Sequence, residues 1–210
     1  MGTTYNTANP AYIVDSTLTE GEAWVACATH VETGTGTTDI TLSSTTGCNN
    51  WSQYQDLVIL ASVRSEYNTG TSNPRIFYNG DTTDAHYRRQ MLRDDGGATM
   101  AFLQENPYLM MATGNTSLAN TFGTNFIRIH SVNAGYCKTT AVQLACCDNN
   151  ASIGVYMGTG IYGNSSNSEV YDGIGDIQKA ITSITFNTVT GWKAGSRFDI
   201  FGVLPKLVIG

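Results

Sequence analysis

The feature that most constrains this chain is how often its apolar runs are interrupted. Alternating or β-rich stretches of about 4–8 residues are broken repeatedly by Gly, Asn, Asp, Thr and Ser. Runs of that length are too short for a stable helix and suit strands joined by turns. They fall at Tyr12–Asp15, Ala23–Thr29, Thr38–Leu42, Leu57–Val63, Arg75–Tyr78, His86–Leu92 and Thr99–Leu103. Others follow at Tyr108–Met111, Asn125–His130, Ala141–Cys146, Ile153–Met157, Ile181–Phe186 and Arg197–Val203. Helical signal is weak. Ala85–Asp94, with Asp84 as a cap, fits an exposed strand equally well, and Gly173 and Gly175 each cost a Tyr171–Lys179 helix about 1 kcal/mol. Charged residues are only 13% of the chain, about half the usual share, which also argues against long solvated helices. No repeat, heptad or Pro-rich linker divides the sequence. At 210 residues it fits one all-β domain. The expectation is an antiparallel β-sandwich, jelly-roll-like, over residues 12–204, with a polar N-terminal arm (1–11) and an apolar C-terminal tail (205–210).

Individual runs carry orientation. Leu57–Val63 is apolar on both faces and reads as a central strand covered on both sides. Phe198, Ile200 and Gly202 share one face of Arg197–Val203, and Arg128 shares a face with His130. The slip between Ser183 and Ile184 calls for a β-bulge. Asn79-Gly80 is a hairpin turn signal requiring positive φ at both positions. Trp24, inside an apolar run, is expected in the core; Trp51 and Trp192, beside Asn, Gly and Ser, are expected to be less buried.

The net charge of −6 excludes a broad basic surface for nucleic acid and a polybasic membrane anchor. The longest apolar run, Leu57–Val63, is far short of the roughly 20 residues that span a bilayer. The first residues match neither a signal peptide nor a myristoylation site, so a soluble chain not exported by the obvious route is expected. An odd set of cysteines, Cys27, Cys48, Cys137, Cys146 and Cys147, favours free thiols. Cys27 reads as a small core residue, and the adjacent Cys146-Cys147 would point to opposite faces of a strand, unsuited to clamping zinc.

A search for reactive constellations assigns no catalytic, metal or cofactor residue. His30, His86 and His130 lie in no metalloprotease or deaminase pattern. Gly158-Thr159-Gly160-Ile161-Tyr162-Gly163 matches G-x-G-x-x-G, but the following Asn164–Ser168 stretch is a poor helix start, so hairpin or loop glycines explain it better than a dinucleotide cradle. Asp94-Asp95-Gly96-Gly97 and Asp172-x-x-x-Asp176 offer oxygen ligands for calcium, though turn chemistry explains both more simply. The 17 acidic residues leave a glycosidase pair open without pointing to one. Eleven Tyr and three Trp suit either cross-strand packing or a carbohydrate or protein contact surface. The cluster Arg88-Arg89-x-x-x-Arg93 suits either an acidic neighbour at a subunit interface or a solvated face.

Three ordered stretches carry a resemblance. They are Tyr54–Ser65; Phe77-Tyr78-Asn79-Gly80-Asp81-Thr82 with Tyr87-Arg88 and the Gly96-Gly97 turn; and Ile181–Phe186 with Gly191 and Ala194–Val203. Together they resemble a β-sandwich module of tailed-bacteriophage virion proteins over about residues 12–204. The stretch Thr82–Tyr87 is longer and more charged than that module leads one to expect. The resemblance implies a structural protein on the virion exterior, without enzyme activity or cofactor, assembled in the host cytoplasm. It implies partners among the major capsid protein or other virion proteins, and a homo-oligomer, a trimer among the options. The foremost reading is a capsid decoration (cement) protein clamping the capsid lattice through its arm and tail. A tail or head-fibre component binding a receptor glycan is the alternative. A free carbohydrate-binding module or glycosidase is a third.

Overall fold

A computed structural model describes residues 24–94, 99–134, 137–147, 153–163 and 179–204. The arm and tail expected at 1–11 and 205–210, the strand expected at Tyr12–Asp15, and the stretches Asn164–Ser168 and 171–178 lie outside the described residues. The fold is all-β and antiparallel, as its turn spacing predicts. Its largest layer contains β1 (Trp24–Val31), β3 (Asp56–Val63), β6 (Tyr87–Asp94), β7 (Thr99–Gln104), β9 (Gly123–His130), β10 (Lys138–Cys147), β11 (Ile153–Tyr162) and β13 (Arg197–Val203). Their order is β1-β13-β3-β9-β10-β11-β6-β7. A smaller sheet runs β2-β12-β5, from β2 (Asp39–Ser43), β12 (Ser183–Asn187) and β5 (Arg75–Tyr78). A third pairs β4 (Thr71–Ser72) with β8 (Ala112–Thr113). The only helix among the described residues is 3-10: Gly47–Asn49, Trp51–Gln53 and Asp84–His86. Ala85–Asp94 is therefore a strand preceded by one tight turn.

Alternation builds the core. In β9, Asn125, Ile127 and Ile129 are buried while Thr124, Phe126, Arg128 and His130 face outward. In β13, Phe198, Ile200 and Gly202 face inward. Phe198 then meets Phe186 of β12 at 4.6 Å and Trp192 at 5.0 Å, joining the two layers. Burial of side chains this size contributes about 1.5–3 kcal/mol each. β3 is a central strand, covered on both faces through Ile59, with Leu60 and Ser62 exposed beyond.

Several local expectations are corrected. Trp51 and Trp192 are fully buried: the indole Nε1 of Trp51 donates to Asn49 Oδ1 (2.7 Å) and that of Trp192 to the Phe186 carbonyl (3.3 Å), so each ring is sealed with its polar atom satisfied. Trp24 is instead 44% exposed, on the outer face of β1 against Phe126 and Phe201. β12 carries no bulge, because pairing begins at Ser183 and Ile181 lies ahead of the strand. The register shift falls in β1 instead, between Ala26 and Ala28, at Cys27, which is only partly buried. Asn79 and Gly80 do adopt positive φ (54° and 73°). Their turn makes no hairpin: it hands the chain from β5 in the small sheet to β6 in the large one, and Asn79 Oδ1 accepts from the Thr182 amide (2.8 Å).

The motif Gly158–Gly163 is strand rather than loop. Gly158 and Gly160 lie within β11, and only Gly163 (φ 96°) follows it. A Cβ on Gly160 would sit 3.0 Å from Leu109, and one on Gly154 would sit 2.5 Å from Met111. The glycines open a groove for the buried irregular run Leu109–Met111, which Asn125 clamps by accepting from the Met111 amide and donating to its carbonyl.

Glu32, buried just beyond β1, accepts from the Gly34 amide (2.9 Å) and lies 3.7 Å from His30. The Gly34 bond, aided by Thr37 and His30 and opposed by burial, holds its carboxyl below the usual 4.5. A depressed folded-state pKa adds stability above the unfolded value that fades as pH falls. The stability lost in Glu32→Gln should accordingly be full above about pH 4.5 and shrink below it. Urea midpoints of both proteins across that range check this; a gap that widens in acid would refute it.

Candidate functional site

Each histidine faces a carboxylate. His86 Nδ1 lies 2.7 Å from Asp81, His130 Nδ1 3.3 Å from Asp56, and His30 3.7 Å from Glu32. No hydroxyl or thiol hydrogen-bonds any of the three among the described residues. Asp56, buried in β3, also accepts from Arg128 Nε and Nη2 (3.0 and 2.8 Å) and from the Ser131 amide (2.8 Å). Its oxygens are thus spent tying β3 to the end of β9. In the interior Tyr87 stacks on Tyr162, and Tyr78 meets Tyr162 edge-on. Burial pushes the Tyr78 phenol up to about 12 and raises that of Tyr87 too, so both stay protonated at neutral pH.

Among the described residues no three His, Cys, Asp or Glu converge on a metal position. The Asp94 side chain and the residues Asp95, Asp172 and Asp176 lie outside the description. Cys137 is a free thiol and Cys27 Sγ donates to the Val25 carbonyl (3.3 Å); the side chains of Cys48, Cys146 and Cys147 are not among those described.

The arginine cluster yields the most suggestive geometry. Strand alternation divides it: Arg88 faces outward, while Arg89 and Arg93 face the interior. The three therefore do not form one continuous exposed patch. Arg89 is only 8% exposed, which is rare for a cation without an acidic partner. Its Nη1 donates to the Tyr108 carbonyl and its Nη2 to Gln104 Oε1 (2.5 Å), both neutral acceptors. Its guanidinium lies 5.0 Å from the Phe102 ring centroid and 5.5 Å from that of Tyr108. Burial lowers its pKa to about 10, leaving it charged at neutral pH. Arg75 holds Tyr108 from the other side, donating to its hydroxyl at 2.7 Å.

This guanidinium lines a cleft of about 420 Å³, within the range of small-molecule sites. Tyr67, Asn73, Asn106 and Tyr108 form parts of its wall, with Thr71 and Ser72 of β4 beneath. Among the described residues no carboxylate lines it. Local chemistry explains how the wall is held. Asn106 Nδ2 donates to Gln104 Oε1 (3.2 Å) and Asn106 Oδ1 accepts from the Tyr108 amide (3.4 Å), shaping the turn after β7. The Ile76 amide then bonds the Pro107 carbonyl (3.0 Å), fixing that turn to β5.

A second surface lies on the outer face of the large sheet. Leu60, Phe126, Gln143, Met157, Leu92 and Ala101 are cross-strand neighbours in one row over β3, β9, β10, β11, β6 and β7. Val155, Ile161 and Leu103 flank it, and the aliphatic members are 36–56% exposed. At about 4.8 Å per strand the row is roughly 24 Å long. Solvated antiparallel faces are normally polar, and contiguous apolar ones mark contact sites. No helix among the described residues is long and apolar enough to cross a membrane. No protein-family model, curated protein or solved structure matches the chain.

Proposed function

We propose that the chain is a structural protein of the exterior of a tailed-bacteriophage virion, a decoration protein that binds and stabilises the major capsid lattice through the outer face of its large sheet. The observation that carries this reading is the set of exposed apolar side chains along the Leu60–Ala101 row, interrupted by Gln143, with its exposed flanks, a surface that costs solubility unless another protein covers it. The motif resemblance at Tyr54–Ser65, Phe77–Thr82 and Ala194–Val203 supplies the virion setting. The cleft beside Arg89 favours a second reading, a fibre component that takes up a host glycan.

Antibody labelling of intact particles tests the assignment. Label spread over the whole head supports decoration. Label confined to the tail or one vertex supports the fibre, and unlabelled particles overturn both. The docking face has its own test. Met157→Lys with Leu92→Glu places an opposite-charge pair on two exposed cross-strand neighbours of the row. The double variant should fold and melt like wild type yet bind stripped heads at least tenfold more weakly. Unchanged binding to heads would remove this face from the contact.

A further inference from the structure

We infer that the cleft beside Arg89 is a binding site for a carboxylate-bearing sugar, such as a uronic or sialic acid unit. Three observations meet there. The first is an unneutralised buried cation. Arg89 makes no ion pair among the described residues, its Nε has no acceptor, and its guanidinium donates only to uncharged atoms: the Tyr108 carbonyl, Gln104 Oε1 and, at 3.7 Å, the Met91 sulfur. Interior charges are ordinarily paired, since desolvating an unpaired ion is expensive. The second is Gln104. Its Oε1 occupies a position where a carboxylate oxygen would bond the guanidinium more strongly, and the residue is exposed on edge strand β7, free to yield that position. The third is the remaining wall. Asn73 and Asn106 present amides, Thr71 and Ser72 hydroxyls, and Tyr67 a ring that is 43% exposed. Neutral donors and acceptors beside an aromatic face suit the hydroxyls and C–H face of a sugar ring. A lone acidic side chain from a neighbouring protein would use the cation and leave the rest of a 420 Å³ cleft unused.

The site explains why no acid among the described residues neutralises Arg89: an internal carboxylate would compete with the ligand. That gives the test a variant expected to fold. Gln104→Glu supplies the missing acid on an exposed strand, so it should raise the melting temperature while closing the site to anions. Tyr67→Ala removes the exposed ring without touching Arg89.

Titration calorimetry of the full chain at low salt would use the methyl glycosides of glucuronic, galacturonic and N-acetylneuraminic acid, with methyl glucoside and acetate as controls. The expected result is saturable binding of at least one acidic glycoside, tenfold or more tighter than either control. That affinity should fall tenfold or more in Gln104→Glu and severalfold in Tyr67→Ala. The inference is overturned by absence of binding to all three acidic glycosides, by acetate binding equally well, or by undiminished affinity in Gln104→Glu. If a peptide bearing a single Asp binds more tightly than every glycoside, the cleft receives a protein side chain and the sugar assignment is wrong.

Discussion

Gly202→Val is expected to lose a large share of the folding stability. A Cβ at this position would lie 2.3 Å from Cγ and Cδ2 of the Tyr54 ring, far inside van der Waals contact. The ring cannot swing clear. Tyr54 is 2% exposed, its amide is bonded to the Trp51 carbonyl, and the next amide, that of Gln55, is bonded to Val203. Cγ moves only if χ1 turns or the backbone shifts, and the ring is enclosed on all sides. Overpacking of this kind costs about 1–3 kcal/mol for one extra methyl, so alanine alone should be severe and valine worse. Against a typical total of roughly 5–15 kcal/mol, valine removes a large share of the stability. Gly80→Ala is the comparison. Its Cβ would meet nothing within 4 Å, leaving only the strain of φ 73°, about 1–2 kcal/mol. Urea midpoints rank the variants. Gly202→Ala within about 0.5 kcal/mol of wild type would mean that Tyr54 does not lie over β13.

How far the sequence alone reaches follows from the range of each signal. Strand positions are local and were legible: Phe198, Ile200 and Gly202 share their face as their spacing requires. What Gly202 makes room for was not legible, because Tyr54 stands outside its own segment and meets β13 only through sheet order. That order depends on distant pairings, such as β13 placed between β1 and β3. Asn79-Gly80 shows the same division, since the residues dictate a turn but not which sheet receives the chain after it. The arginine cluster could have been read further. In a strand Arg88 and Arg89 must oppose each other while Arg89 and Arg93 agree, which already sends two cations inward. The rest of the cleft comes from loops and strands far apart in sequence, among them Tyr67, Asn73, Asn106 and Thr188, and leaves no local pattern.

The tryptophans give the sharpest contrast between neighbours in sequence and neighbours in space, and a large effect to measure. Trp192→Ala should cost about 3–5 kcal/mol, the range for truncating a large buried aromatic. The indole is fully buried, packs edge-on to Phe198 at 5.0 Å, and donates to the Phe186 carbonyl of β12. Its removal therefore opens a cavity between the two layers and takes one donor from the Phe186 carbonyl. The backbone around it is also a junction, because the Trp192 amide bonds the Thr37 carbonyl and Ser65 bridges to the same residue. Trp24→Ala removes the same atoms from an outer-face position that is 44% exposed, with ring contacts at 6.1 Å to Phe126 and Phe201. Such contacts are worth about 0.5–1.5 kcal/mol each beyond the partial burial, and removing the ring opens no enclosed cavity, so Trp24→Ala should cost less. Trp192→Phe separates the two terms at the buried site. It keeps most of the apolar volume and loses the Nε1 donor, and should recover more than half of the alanine loss. Denaturant melts of the three variants decide the matter: equal costs for Trp24→Ala and Trp192→Ala would overturn the assignment of one tryptophan to the interior and the other to the surface.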